Sequence, residues 1–430
     1  MLRGDEQEKE RILSLAARLR EAERPIRVLR TIAWPPEVRE RFFAAGEREL
    51  PRPTYQPPAC GPTLEAVAAM RPELGGEGAI DRWLERVARA IEGGARMLAA
   101  TGTEDFYHHA RELYGTPTTV LIDGVHTPLD LARQLDEVLS GFDRVDLGAP
   151  APACHSADVV AERMRAVLPQ VFGDDGLKVE VVDHLSANAV AGRGGVRIRR
   201  GACFSDRDLV QLTEHEAFVH AVTSLNGAAQ HHLPLLGAGH PGTTKTQEGL
   251  AVFAEMISGA MDPHRLRRLA DRVLAIQMAI DGADFLQVYR YFKERTGERE
   301  QAFENARRVF RGAPLTGGFA FTKDVVYLDG LLRVHNFLRA AVAARRIDCL
   351  RLLFCGKLDL EDVPALGQLA AMGLLEPPRY LPPWADDRRF LVSYLAYSSF
   401  LNRIDLARVR EHVEKLLAET PVPAPATAQG

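Results

Sequence analysis

Cysteine is scarce in this chain and poorly placed for chemistry. The five residues, Cys60, Cys154, Cys203, Cys349 and Cys355, are odd in number, widely spaced and form no Cys-x-x-Cys pair. That pattern argues against a disulfide framework and against a thiolate zinc site. Long apolar runs are missing too. No stretch approaches the roughly 20 residues needed to span a bilayer, so no membrane association is expected. The opening residues MLRGDEQEKE are charged and lack the apolar core of a signal peptide, which makes the cytoplasm the expected location. Nor does charge of one sign dominate. A formal net charge of -4 offers no basic field to a phosphate backbone, and nucleic-acid binding is not expected. Gly-rich pieces such as Gly192-Arg-Gly-Gly195 lack the context of a phosphate loop, and there is no internal repeat.

What is present is ample core-forming material. With 46% hydrophobic residues in 430, the chain is long enough for a substantial interior. The expected organisation is an N-terminal helical region over 1–150, a catalytic region over 151–420 and a disordered tail, PVPAPATAQG, over 421–430. The fold class is α+β, mainly helical. Helical spacing marks Gln7 to Arg20, Ile80 to Ala100 (with Trp83, Val87, Ile91 and Met97 on one stripe) and Asp158 to Leu168. It returns over Asp262 to Ile280, Lys323 to Arg345 and Asp405 to Glu419. The Pro-rich Pro51 to Pro62 is extended or looped. Strands are expected at Val179–Leu185 and Gly195–Arg200, joined as a hairpin by the turn-rich Ser186–Gly194.

The chemistry concentrates after the second strand. Ser205-Asp-Arg-Asp208 has the form of a capping box and opens a helix expected to stop near Asn226-Gly227. Inside it lies His215-Glu-Ala-Phe-Val-His220. Two histidines and a glutamate on one helix resemble the His-Glu-x-x-His zinc motif, with one residue more between the histidines. On a regular helix an i, i+5 pair diverges by about 140°, against about 40° for i, i+4. Metal binding therefore demands a local π-bulge between His215 and His220, a distortion that is frequent at functional sites. A third protein ligand is needed, and Thr246-Gln-Glu-Gly-Leu-Ala251 supplies Glu248, placed in the first turn of a second helix. A helix-start glutamate favoured by the macrodipole is the plain alternative for it. Glu255 is the only other acidic candidate on that helix.

His-Glu-x-x-x-His followed by Gln-Glu-Gly-Leu-Ala resembles the QEGLA-motif family. Its bacterial members are described as flavohemoglobin expression-modulating, and its eukaryotic relatives include the microtubule-associated tubulin tyrosine carboxypeptidase. The resemblance is strong from Val179 to Leu381 and weaker in the N-terminal third. It takes in Ser186–Gly192, Phe321–Leu328 and Gly356-Lys-Leu358. It implies a zincin-like metallopeptidase core with a small sheet and helical extensions, in which His215, His220 and Glu248 bind Zn2+ and Glu216 is the catalytic base. The dipeptidyl peptidase III class shares the longer histidine spacing. Ala217-Phe-Val219 departs from the pattern, being bulkier than expected inside the motif.

Such a peptidase would act on a peptide or protein C-terminus, with Glu216 moving protons from water to the leaving amine. Tyr327, Lys323, Arg307 and Arg311 are candidates for the second oxyanion donor, Tyr327 foremost. Lys245 and Arg199 are candidates for a carboxylate-binding cation. If Gly195–Arg200 is a sheet edge, a peptide could add to it, and Arg197 and Arg199 would suit an acidic one. The pairs His108-His109 and His231-His232 diverge by about 100° and are expected at the surface. The alternative is a non-enzymatic regulatory or binding protein with a structural zinc; a third reading has no metal at all. Oligomeric state is not legible.

Overall fold

Helical periodicity becomes helix almost wherever the sequence carries it. In the computed structural model, residues 2–142, 154–173, 176–183, 185, 187–401, 403–404 and 406–418 are described. The tail expected at 421–430 lies outside them. The first helix is Leu2–Glu23, and Ala79–Ala99 buries Trp83, Val87, Ile91 and Met97 along one face as the stripe requires. Pro263–Ile280 is capped by Asp262, whose side chain accepts the Arg265 N–H at 2.7 Å. A short 3₁₀ turn, Thr322–Val325, leads into Val326–Ala343, and Leu406–Ala418 closes the described chain. The Pro-rich stretch is irregular only as far as Cys60. Gly61 and Pro62 open the helix Gly61–Met70, where the missing proline N–H costs nothing.

Three short strands form a mixed sheet in the order β1 (Val179–Val182), β3 (Gly195–Arg199), β2 (Ala189–Gly192). This corrects the expected hairpin. β1 runs parallel to β3, and the antiparallel partner of β3 is β2, which arises inside the supposed connection. β3 is therefore central and not an edge, so Arg197 and Arg199 do not guard a free border. Val196 and Ile198 are buried between them, as their alternation predicts.

The cysteine expectation also needs correcting. Cys154 and Cys203 form a disulfide beside a two-way backbone bridge between His155 and Phe204. Spacing in sequence could not reveal a bond that links residues 49 apart. The bridge fastens the segment before Ala157–Val167 to the run leading into the histidine helix.

That helix is continuous from Asp206 to Ala229 in three parts: Asp206–Leu212, Thr213–Ala221 and Val222–Ala229. It does not stop at Asn226-Gly227. Asn226 instead donates to the carbonyls of Phe354 and Tyr380, and Gly227 lets Leu236 approach where a Cβ would sit 2.2 Å from its carbonyl oxygen.

A close helix crossing positions the site. Pro241–Ile257 packs against Val326–Ala343 with Gly249 facing Gly330, and a Cβ on Gly249 would lie 2.3 Å from the Gly330 carbonyl oxygen. Because Pro241 starts the helix, Glu248 sits mid-helix and not in the first turn, so the macrodipole does not account for it. One large apolar cluster runs from Ile12 to Leu395 around this crossing, and a second, aromatic one gathers Trp34, Phe42, Phe285 and Phe303. We expect Gly249→Ala to destabilise the protein by about 3 kcal/mol, the cost of overpacking against backbone that cannot yield. Gly367→Ala, with nothing within 4 Å of its added Cβ, should raise stability by up to ~1 kcal/mol. Urea midpoints of the two variants check both.

Candidate metal centre

Ser205 and Asp208 form the reciprocal capping box the sequence announces, which fixes where the histidine helix begins. Downstream the helix widens. Thr213–Ala221 is π-helical over nine residues, a longer distortion than a single bulge. In π geometry residues i and i+5 stack on one side. His215 and His220 accordingly lie edge to face, with ring centroids 4.9 Å apart.

The Pro241–Ile257 helix brings Glu248 to meet them. Its Oε2 lies 3.6 Å from His215 Nε2 and 3.5 Å from His220 Nε2, and the three ligand atoms fall within 4.8 Å of one another. Glu248 Oε2 is buried with no hydrogen-bond partner, while Oε1 accepts from Lys323 Nζ at 2.9 Å. One oxygen is tied down and the other is presented to the imidazoles. Burial opposes the Glu248 charge, but Lys323 and the histidines hold its carboxyl well below the usual range. An orphaned carboxylate oxygen facing two imidazole nitrogens is a donor set that could hold a metal ion.

The histidine is oriented from behind. Glu255, two turns beyond Glu248 and fully buried, approaches His215 Nδ1 at 2.6 Å. Arg265 grips Glu255 through two 2.8 Å hydrogen bonds, and Gln211 donates to it at 2.9 Å. Despite burial, Arg265 and His215 keep Glu255 well below the ordinary carboxylate range. Burial likewise opposes a charge on His215, yet Glu248 and Glu255 outweigh it and push its pKa up to about 10. Two carboxylates thus converge on one ring and call for a cation there.

Glu216, next to His215 in the widened turn, is fixed by the sheet. Its Oε2 accepts the Ala191 N–H of β2 at 2.8 Å, so the sheet holds it beside the triad. Glu216, His215, His220, Glu248 and Tyr327 all line one cavity of about 440 Å³. Ala217, Phe218 and Val219 do not. They are buried, Phe218 against Phe172, so the bulk inside the motif goes to the core and leaves the cavity wall alone.

A family profile described as microtubule-associated tyrosine carboxypeptidase matches residues 40–403. The chain belongs to this family. No curated protein matches it. The match takes in both motifs, all three strands and every residue of the triad.

Other residues of this family member divide between the cavity and the surrounding structure. Tyr327 lines the cavity with Arg272 and Lys323 over its ring at 5.0 and 5.1 Å and Arg308 Nη2 3.5 Å from its hydroxyl. Lys323 and Arg311 also line it. Arg307 turns to Glu304, and Lys245 pairs with Asp329 at 2.6 Å. Arg199 reaches the Asn188 side chain at 2.8 Å. None of these three lines the cavity, because each is spent on a neighbour. His108 and His232 are exposed, His109 lies 3.7 Å from Glu112, and His231 pairs with Glu376. Neither histidine pair belongs to a metal-capable group among the described residues.

Sequence reasoning passed over Arg308, Lys357 and His240, which line the cavity, and the supporting roles of Glu255 and Arg265. Glu255 carried a usable signal, since seven residues separate it from Glu248 and return it to the same helix face. Arg265 had none, because it arrives from another helix. Glu255→Gln should weaken metal binding about 10- to 100-fold while leaving the helical content unchanged. Chelator competition followed beside far-UV circular dichroism measures both.

Proposed function

We propose that this protein is a zinc-dependent carboxypeptidase with a zincin-like core, held to its metal by His215, His220 and Glu248. The observation that carries the reading is the unpartnered Glu248 Oε2 facing both Nε2 atoms, with Glu216 beside it in an open cavity. A zinc ion there would supply the positive charge that polarises a peptide carbonyl and acidifies water. Glu216, kept in place by the Ala191 N–H, takes the proton from water and returns it to the leaving amine. Tyr327, braced by Arg272, Lys323 and Arg308, donates its hydroxyl hydrogen to the developing oxyanion.

The substrate strand would lie along β2, not β3. Arg199 N–H donates to the Asn188 carbonyl, so Val190 and Gly192 face β3 while Ala189 and Ala191 turn away from it. Ala189 and Ala191 line the cavity; with the Ala191 N–H held by Glu216, the Ala189 N–H and C=O and the Ala191 C=O are left for an extended peptide to pair with. The substrate is then the C-terminus of a peptide or protein. No helix among the described residues is long and apolar enough to cross a membrane.

The competing reading is a regulatory protein whose zinc only ties two helices together. A structural site closes on four protein ligands, whereas this group gathers three among the described residues. The two readings separate on one set of measurements. We expect about one zinc per chain, lost in His215→Ala, and release of C-terminal residues from a C-terminally varied peptide library. Glu216→Gln should keep the zinc and lower kcat by about 10²–10⁴-fold. Zinc retained with no turnover by the wild type would support the regulatory reading, and absence of zinc would overturn both.

A further inference from the structure

Six cations line the cavity, and three already have an anion. Lys323 holds Glu248 at 2.9 Å, Arg308 forks onto Asp324 at 2.6 and 3.0 Å, and Arg27 meets Glu23 at 2.9 Å. Arg30 is exposed to water. Two remain. Lys357 is a half-buried amine beside Gly239 with no hydrogen-bonded acceptor among the described residues. Arg311 is the more unusual. It is only 4% exposed, its Nε is buried without a partner, and no carboxylate meets its guanidinium among the described residues.

A buried guanidinium with no carboxylate in salt-bridge range is costly to keep, since burial removes its hydration and Asp324, committed to Arg308, offsets only part of the loss from further away. Burial, with Arg308 and Arg307 close by, pushes Arg311 down to about 9 from its ordinary value. Its guanidinium carbon lies 5.6 Å from the centre of the Phe321 ring. Yet its backbone is rigidly placed. The next residue, Gly312, donates to the Tyr55 hydroxyl at 2.9 Å and accepts from Gly102 N–H at 2.8 Å, and Tyr55 is itself held by Trp34 at 2.7 Å. Gly312 has φ +86° and abuts the Phe106 ring, so the turn that presents Arg311 admits little adjustment.

We propose that Arg311 is the receptor for the substrate's terminal α-carboxylate, the group that makes this cavity an exopeptidase site. The inference rests on the peptidase reading above. A planar fork with free N–H donors matches a carboxylate bidentately, which a lysine amine cannot do. The incoming carboxylate supplies the counter-ion that the protein withholds. Arg311 shares the cavity with the triad, so an anchored terminus leaves the last peptide bond near Glu216.

The test uses the full chain and matched peptides ending in a free acid or in an amide. Binding is read by fluorescence anisotropy in zinc-loaded Glu216→Gln protein, and hydrolysis in protein with Glu216 intact. The free acid should be favoured about 100-fold in both assays, as expected for one desolvated ion pair. Arg311→Gln should erase that preference, leaving the amide peptide unaffected. Arg311→Lys should restore about tenfold of it, and serves if the glutamine variant does not fold. An unchanged acid-to-amide ratio in Arg311→Gln, or its loss in Lys357→Met instead, overturns the assignment. A uniform loss on both peptides means a structural role and overturns it equally. If the acid preference in binding depends on Arg311 but no peptide is cleaved by the wild type, the hydrolytic reading falls and the carboxylate subsite stands.

Discussion

The site depends on one geometric requirement: two imidazoles five residues apart must share a helix face. A regular helix would splay them by about 140°, and only a wider helix stacks i over i+5. The chain meets this with nine consecutive π residues, tied down both within the helix and by its neighbours. Thr223 Oγ1 bonds the Val219 carbonyl and the Gln247 side chain, and Ser224 Oγ bonds the His220 carbonyl. Ala191 N–H holds Glu216, and Glu255 holds His215. The widened turn is thus gripped by the sheet on one side and by the Pro241–Ile257 helix on the other.

The second constraint is the crossing of that helix with Val326–Ala343. Gly249 and Gly330 let two backbones approach to a distance no Cβ tolerates. That closeness brings the start of Val326–Ala343, with Lys323 just ahead of it and Tyr327 in its first turn, to Glu248. The glycine of Gln-Glu-Gly-Leu-Ala is there for packing, and the packing sets the electrostatics: Lys323 occupies one oxygen of Glu248 and leaves the other facing the two imidazoles.

How far the sequence reached follows from which interactions are local. The capping box, the buried stripe of Ala79–Ala99, the alternation of β3 and the need for a π distortion are encoded within a few residues, and each was readable. The three candidate ligands carried local motifs and do converge. Sheet order was not readable, because a strand of four residues such as Ala189–Gly192 contains too little pattern to stand out from a turn. The Cys154–Cys203 pair, the true start of the Glu248 helix at Pro241 and the support from Arg265 depend on distant segments meeting. The long-side-chain cations illustrate the same limit. Lys245, Arg199 and Arg307 looked as available as Arg311 in sequence, and only their neighbours show that the first three are already engaged.

Charge inside the cavity is arranged in pairs that run from the protein interior outward. Arg265 braces Glu255, which braces His215; Asp324 braces Arg308, which reaches the Tyr327 hydroxyl. Each outer group gains a fixed orientation from a buried partner of opposite sign, and no reorganisation is then needed when charge develops on a bound peptide. The Tyr327 oxygen, approached by Arg308 from behind, keeps its own hydrogen for the cavity. A chain of net charge -4 in this way concentrates cations around its two cavity carboxylates. The surplus of positive charge is local, sits where water is partly excluded, and so acts on an anionic peptide end far more strongly than the same residues would on the surface.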